Sequence, residues 1–430
     1  MKRPIHLLCL LLIFIATNVR AQIQETPNNN HCKVSAINLP VDSTFIRESE
    51  ELEIFTKNFS PKDLNGGNCY VIPVVFHVYG TSQGGLTVND ALIIDAMDKL
   101  NKDFHGLNAD YATVHNSFLS IRSNMPDVIF ALAQKDPSGS STTGIVYHPV
   151  TAGYANGSGY DAAIAADAWD NYKYMNIYIM NDLFNDGITN NSGYAYYPSS
   201  FMSNNNTARI VYNGAYLGTN TSTEFASTLT HEYGHWLNLI HTFNGGCVAP
   251  NDQVSDTPPC DYLGSSYLCH ASSSANSPLN CNSDLINAEN YMDYSGASGC
   301  YKMFTQGQVA RMYAALQHPS REPLWQTSNL VATGLDHLCN SSGINSYYTS
   351  GFNIYPNPSK GIFTIRSMEN KEAICMITIS NMVGKEIYRY TPQNTSEVQF
   401  NIDITDNAAG IYFLQIKLKS YTQTYQLVIH

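Results

Sequence analysis

The segment from His231 to His241, HEYGHWLNLIH, restricts this chain more than any other stretch of it. It sets two histidines four residues apart, a glutamate beside the first, and a third histidine six residues after the second. On a helix, residues four apart share a face, so His231 and His235 can present two imidazoles to one ion. The neighbouring sequence predicts a helix over 224–238 with Thr223 as its N-cap. Phe225, Leu229, Tyr233 and Trp236 recur at spacings of four, four and three, which makes one apolar stripe. At about 100° per residue the histidine pair lies well away from that stripe, so one side is expected to pack and the other to bind metal. Glu232 sits beside the pair without being a ligand, where a base for an activated water is needed.

His241 has to come from chain that has left the helix. Asn238 can make that turn, because asparagine is, after glycine, the residue most tolerant of left-handed backbone. Three neutral imidazoles leave the fourth position of a tetrahedral zinc open, the pattern of a catalytic rather than a structural site. A zinc peptidase whose third ligand is a distant glutamate is a poor match, since no Glu occurs between Glu232 and Glu289.

The remaining sequence reads as an exported chain of several domains. At roughly 150 residues per domain, 430 residues allow two or three. Residues 1–21 have a basic start, an apolar run from Ile5 to Ala16 and a small last residue, Ala21. That is a secretory signal with cleavage expected after Ala21, and the run is short for a bilayer span. Export implies an oxidising compartment. Of the 10 Cys only Cys9 leaves with the signal, so several of the others should form disulfides. A formal net charge of -12 repels phosphate backbones and anionic lipid heads, so no nucleic-acid partner is expected.

Residues 22–68 are polar and nearly aperiodic, as suits a pro-segment. A catalytic unit is expected over 69–330. Within it, strands are predicted at 69–78, 127–133, 175–180 and 208–212, with Pro73 arguing for an edge or a bulge in the first. Helices are predicted at 87–104, capped by Thr87, and at 305–316, where Thr305 and Gln308 form a capping-box signature. The mixture points to an α/β or α+β domain. The stretch 244–299 is rich in Ser, Asn, Gly and Cys, shows no periodicity and needs pinning by disulfides or metals. A linker is expected over 331–350. Residues 351–430 carry short alternating strands between turn signals, an all-β sandwich pattern.

The whole pattern resembles the pappalysin-type metzincin peptidases. After the third histidine this chain has Asp256-Thr257-Pro258, then Asn290-Tyr291-Met292-Asp293-Tyr294, then Phe304-Thr305-Gln306-Gly307-Gln308. These resemble the family's DTP element, Met-turn and FTxGQ element. The stretches IPVVFHV at 72–78, LNKDF at 100–104 and GYAYYP at 193–198 are also similar. The resemblance covers about 69–330 and implies a metzincin-like catalytic domain: a twisted mixed sheet, an active-site helix and a Met-turn subdomain. It implies zinc on His231, His235 and His241, Met292 as the apolar floor beneath it, and Tyr294 beside it as a stabiliser of the oxyanion. One departure is Asn238, where the family usually has glycine.

The resemblance also implies the disulfides Cys247–Cys281 and Cys269–Cys300, leaving Cys260 over. Asp252, Val254 through its carbonyl, Asp256 and Thr257 resemble a calcium loop, and oxygen donors suit that ion. Cys32 has two readings: a latency switch whose thiolate takes the open zinc position, or a disulfide partner, for instance of Cys69. The tail, with YPNP at 355–358, GIF at 361–363 and GIYFL at 410–414, resembles the C-terminal sorting domain of the type IX secretion route. Together these imply a secreted, zinc-dependent endopeptidase of protein or peptide substrates. It would be exported through the periplasm by the type IX machinery and activated as a zymogen. Some members of the family favour basic residues after the cut and use an acid just past the Met-turn. Here 295–299 reads SGASG, so that preference is not expected. A binding protein that merely keeps the zinc fold should have lost the base or a ligand; neither is lost.

Overall fold

The computed structural model describes residues 43–59, 69–157, 159–247, 251–260, 279–280, 282–294, 300–336, 338, 352–367, 374–381, 385–392, 399–418 and 422–429. The signal, Cys32 and most of the expected linker fall outside these residues.

The expected α+β unit forms around a six-stranded sheet. Its strands are β1 (Tyr70–Tyr79), β2 (Val128–Leu132), β3 (Ile145–His148), β4 (Met175–Ile179), β5 (Gly193–Ala195) and β6 (Ile210–Tyr212). The order is β2-β1-β4-β6-β5, with β3 also pairing β1 beyond the end of β2. All pairs are parallel except β5 on β6, which is antiparallel and ends the sheet. Every residue of β1 is buried, which is why its sequence is a continuous apolar run rather than an alternation. Pro73 is tolerated because the ladder to β4 begins one residue later, at Val74.

Two helices cover one face of the sheet. In α2 (Asp90–His105), Leu92, Ile93, Ala96, Met97, Leu100 and Phe104 join one core with Ile72, Val74, Phe76 and Val78 of β1. The N-cap of α2 is Asn89, which accepts from the Leu92 N–H at 3.0 Å; Thr87 instead lies in a two-residue ladder before it. In α5 (Thr228–Trp236), Leu229, Tyr233 and Trp236 enter the same core, and the Tyr233 ring stands 4.6 Å edge-on from Phe130. The helix is shorter than the predicted 224–238. Its first turn, Phe225–Ser227, is 3₁₀, with no side-chain cap. Every residue of α5 is buried, so both the apolar stripe and the histidine side are covered.

Beyond the sheet, α6 (Gln306–Gln317) starts at the expected capping box of Thr305 and Gln308. The shorter helices are α3 (Asp161–Asp167), α4 (Ser200–Asn204) and α7 (Thr327–Thr333). The expected pro-segment is not aperiodic throughout: it contains a helix, α1 (Ser43–Asn58).

The tail is all-β as expected. Strands β7 (Phe352–Tyr355), β8 (Ile362–Ser367) and β11 (Gln399–Asp403) form one antiparallel sheet. Strands β9 (Ile374–Asn381), β10 (Glu386–Tyr390), β12 (Gly410–Leu418) and β13 (Thr422–Ile429) form the other. Phe363, Ile365, Ile377, Ile379, Phe400, Ile402, Leu414, Ile416 and Leu427 fill the core between them. No helix among the described residues is long and apolar enough to cross a membrane.

Candidate metal centre

The helix α5 ends where the third histidine requires it to end. Leu237 and Leu239 both donate to the Gly234 carbonyl, and between them Asn238 takes φ 71°. That left-handed residue throws the chain back along the helix, and His241 returns to face His231 and His235.

The three Nε2 atoms lie 2.9 Å (His231–His235), 3.1 Å (His235–His241) and 3.2 Å (His231–His241) apart. The backbone fixes two tautomers: His231 Nδ1 donates to the Tyr291 carbonyl at 2.6 Å and His235 Nδ1 to the Leu239 carbonyl at 2.7 Å. Both Nε2 atoms therefore point lone pairs at each other, a repulsive arrangement unless a cation lies between them. Zinc–imidazole bonds of about 2.0 Å on tetrahedral axes put the nitrogens about 3.3 Å apart, so the donor set fits zinc. Burial, and next the neighbouring imidazoles, push His235 and His241 well below the usual histidine range. Neutral rings are what metal ligation needs. Among the described residues this is the one cluster of three such donors.

Glu232 is fully buried beside them. Its carboxylate faces Gly193 of β5 so closely that a Cβ there would lie 2.4 Å from Oε1. Nothing in the sequence marks Gly193 as a site residue, because only the fold brings β5 against α5. A Cβ at Gly234 would lie 2.4 Å from the Met292 sulfur, so that glycine is what lets Met292 come up beneath the helix. The Met-turn is pinned by paired amides: Asn290 Nδ2 donates to Gln308 Oε1 at 2.8 Å, and Gln308 Nε2 to Asn290 Oδ1 at 3.0 Å. Thr242 N–H donates to the Met292 carbonyl, which ties the third-histidine loop to the same turn. The Tyr294 ring is centred 4.8 Å from His241 and 5.8 Å from His231. Phe243 stacks on His241 at 4.7 Å, and Tyr197 stands edge-on to His235 at 5.8 Å.

The expected calcium donors converge only in part. Thr257 Oγ1 lies 2.7 and 2.8 Å from the two Asp252 oxygens and 2.9 Å from the Val254 carbonyl. Burial raises the Asp252 carboxyl to about 7. Asp256 is engaged elsewhere: it accepts from Thr305 Oγ1 at 2.7 Å and from Gly307 N–H at 2.9 Å, at the start of α6. Cys247 and Cys300 are each disulfide-bonded, as is Cys69. Their expected partners Cys281 and Cys269 lie outside the described residues, as do 295–299. Cys260 is a buried thiol with its Sγ 3.9 Å from Asp293 Oδ2.

Comparison with known proteins agrees with this geometry. A peptidase family model described as Pregnancy-associated plasma protein-A matches residues 158–317. One described as Secretion system C-terminal sorting domain matches 353–430. An extracellular metalloprotease of Verticillium alfalfae is 34% identical over 262 residues, covering 56% of this chain and 74% of that protein. An extracellular metalloprotease of Sordaria macrospora is 40% identical over 151 residues. That match covers 33% of this chain and 47% of the relative, so it spans about half of that protein. Among solved structures, a promirolysin mutant from Tannerella forsythia is 26% identical, with a TM-score of 0.51 over 69% of this chain and 92% of that one.

Proposed function

The chain belongs to the pappalysin-type metallopeptidases, and on that footing we propose that it is a zinc-dependent endopeptidase in which His231, His235 and His241 hold the ion and Glu232 is the general base. Membership of the family and the C-terminal sorting domain make it a secreted metalloendopeptidase. The assignment of roles to residues rests on one observation: two imidazoles with fixed tautomers aim lone pairs at a common point 2.9 Å apart, and a third closes the triangle.

Zinc, when bound, supplies Lewis acidity to water and to the scissile carbonyl. Glu232 takes the proton of the attacking water on its carboxylate and passes it to the leaving amine. Its burial against Gly193 keeps that carboxylate in one orientation. Tyr294, packed on His241, donates its hydroxyl to the oxyanion. Met292 and the amide pair beneath the site keep the ring planes fixed. A calcium ion held by Asp252, the Val254 carbonyl and Thr257 would pin the long loop after the third histidine, with Asp256 serving α6 rather than the ion. Cys32 would act as the latency thiol of a processed N-terminal segment within 22–68. The disulfides would be Cys247–Cys281 and Cys269–Cys300. The tail from 351 would address the protein to the type IX machinery.

A Glu232→Gln variant is the direct test. It should keep its zinc and lose turnover by about 10³-fold, within the range for loss of a general base. Turnover close to wild type would remove Glu232 from the mechanism.

A further inference from the structure

Thr230 stands one residue before the first histidine of the triad, and its hydroxyl is used outside its own helix. Thr230 Oγ1 of α5 donates to Asp103 Oδ2 of α2 at 2.7 Å, and both residues are buried. Asp103 also accepts from Lys99 Nζ, one turn back on α2, at 3.1 Å on Oδ1 and 3.2 Å on Oδ2. An ionised carboxylate only accepts, so it can hold all three bonds at once. The fully buried Tyr291 phenol faces the same carboxylate: burial, and next the Asp103 charge, push its hydroxyl well above the usual tyrosine range. Through its backbone, Tyr291 offers the carbonyl that accepts from His231 Nδ1 at 2.6 Å.

These contacts close a ring. It runs along the backbone from His231 to Thr230, then by hydrogen bond to Asp103. It continues from Asp103 to the Tyr291 phenol, and returns from the Tyr291 carbonyl to the His231 imidazole. One carboxylate of α2 thus addresses both the helix that carries His231 and the turn that fixes its tautomer. A buried ion pair such as Lys99–Asp103 adds little net stability, because desolvation offsets the attraction. Outer partners of metal ligands, by contrast, set the orientation and basicity of the ligand ring. The stretch LNKDF at 100–104 carries no chemical signal of its own in the sequence; the fold sets its aspartate beneath the triad.

We propose that Asp103 is a positioning residue for the first metal ligand: through Thr230 it sets the rotation of α5, and through Tyr291 it sets the carbonyl against which the His231 ring is held. This rests on the zinc reading above.

The test uses the secreted, processed enzyme and reads the metal rather than turnover. Transfer of zinc to a chromogenic chelator measures how firmly the ligands hold, and the visible bands of the cobalt(II)-substituted enzyme report their orientation. Thr230→Val keeps the shape and removes the donor. It should speed release about tenfold, as expected for one lost hydrogen bond to a charged group. Thr230→Ser restores the hydroxyl and should restore both the rate and the bands. Asp103→Asn should speed release by about tenfold or more, in the range for outer partners of metal ligands. Tyr291→Phe, which keeps the carbonyl and loses the phenol, should release faster than wild type. Wild-type release from Thr230→Val or Tyr291→Phe, or an acceleration that Thr230→Ser does not reverse, would overturn the proposal. So would an Asp103→Asn enzyme that unfolds at lower urea but holds zinc as wild type does, since that assigns the carboxylate to stability alone. A wild-type enzyme with no zinc would sink the metal reading itself, and the proposal with it.

Discussion

His77 is the clearest case of a residue whose charge state the fold decides. It lies fully buried in β1, on the opposite side from the Phe76 and Val78 side chains. Its Nε2 donates to Asn176 Oδ1 at 3.0 Å, so its Nδ1 is an acceptor facing His148 Nε2 at 3.0 Å. Tyr178 stacks on the ring, Trp169 stands edge-on, and Asp167 lies beyond His148. Burial lowers His77 to about 4, against the Asn176 contact, which raises it. An unfolded imidazole titrates near 6.5, so the native state binds fewer protons between pH 6.5 and 4. Stability should therefore fall as the pH drops through that window, by about 3 kcal/mol in all. Denaturant unfolding of wild type and His77→Gln at pH 7 and pH 4.5 checks this, with a shallower loss expected for the variant. Parallel losses would assign the slope to other groups. The convergence of the three histidines, by contrast, was legible from spacing alone. Four-residue periodicity places two of the imidazoles, and a residue tolerant of left-handed backbone places the third.

At the scale of elements, the site is an agreement between α5, the edge strand β5 and the Met-turn. Spacing within one element was readable; contacts between elements were not. Gly193 illustrates the gap, since a glycine in a tyrosine-rich strand carries no signal until β5 is seen against Glu232. Gly193→Ala should displace the carboxylate, because the added Cβ would sit 2.4 Å from Oε1. A misplacement of about 1 Å costs on the order of 10² in kcat, with zinc retained. Steady-state kinetics with metal analysis checks it; an unchanged kcat would mean that the strand yields instead. The helix α1 was missed for a similar reason. Its isolated sequence is polar, and its order comes from Glu48, Glu53 and Thr56 meeting partners distant in sequence. The N-cap of α2 is Asn89 rather than the expected Thr87, because both are able caps and the short ladder before the helix takes Thr87.

At the scale of the whole molecule, a catalytic unit and a sorting sandwich occupy one chain. The alternation along 351–430 was enough to read the second as all-β, and β11 shows it directly, with every second residue buried. Deleting 351–430 should leave the catalytic unit able to cleave but trapped in the periplasm. Fractionation with a casein zymogram would show this, and efficient release of the truncated protein would contradict the sorting role. The loop after the third histidine was legible only as a region needing to be pinned. Its cysteines and carboxylates are individually interchangeable in sequence, and only coordinates separate Asp252, at the oxygen cluster, from Asp256, at the start of α6.

The central claim is that three imidazoles share one ion. X-ray absorption at the zinc edge of the processed enzyme tests it most directly. Three nitrogen neighbours of imidazole type at about 2.0 Å, plus one light-atom neighbour, are predicted. A shell with only two imidazoles, or with sulfur at about 2.3 Å in the processed enzyme, would contradict it.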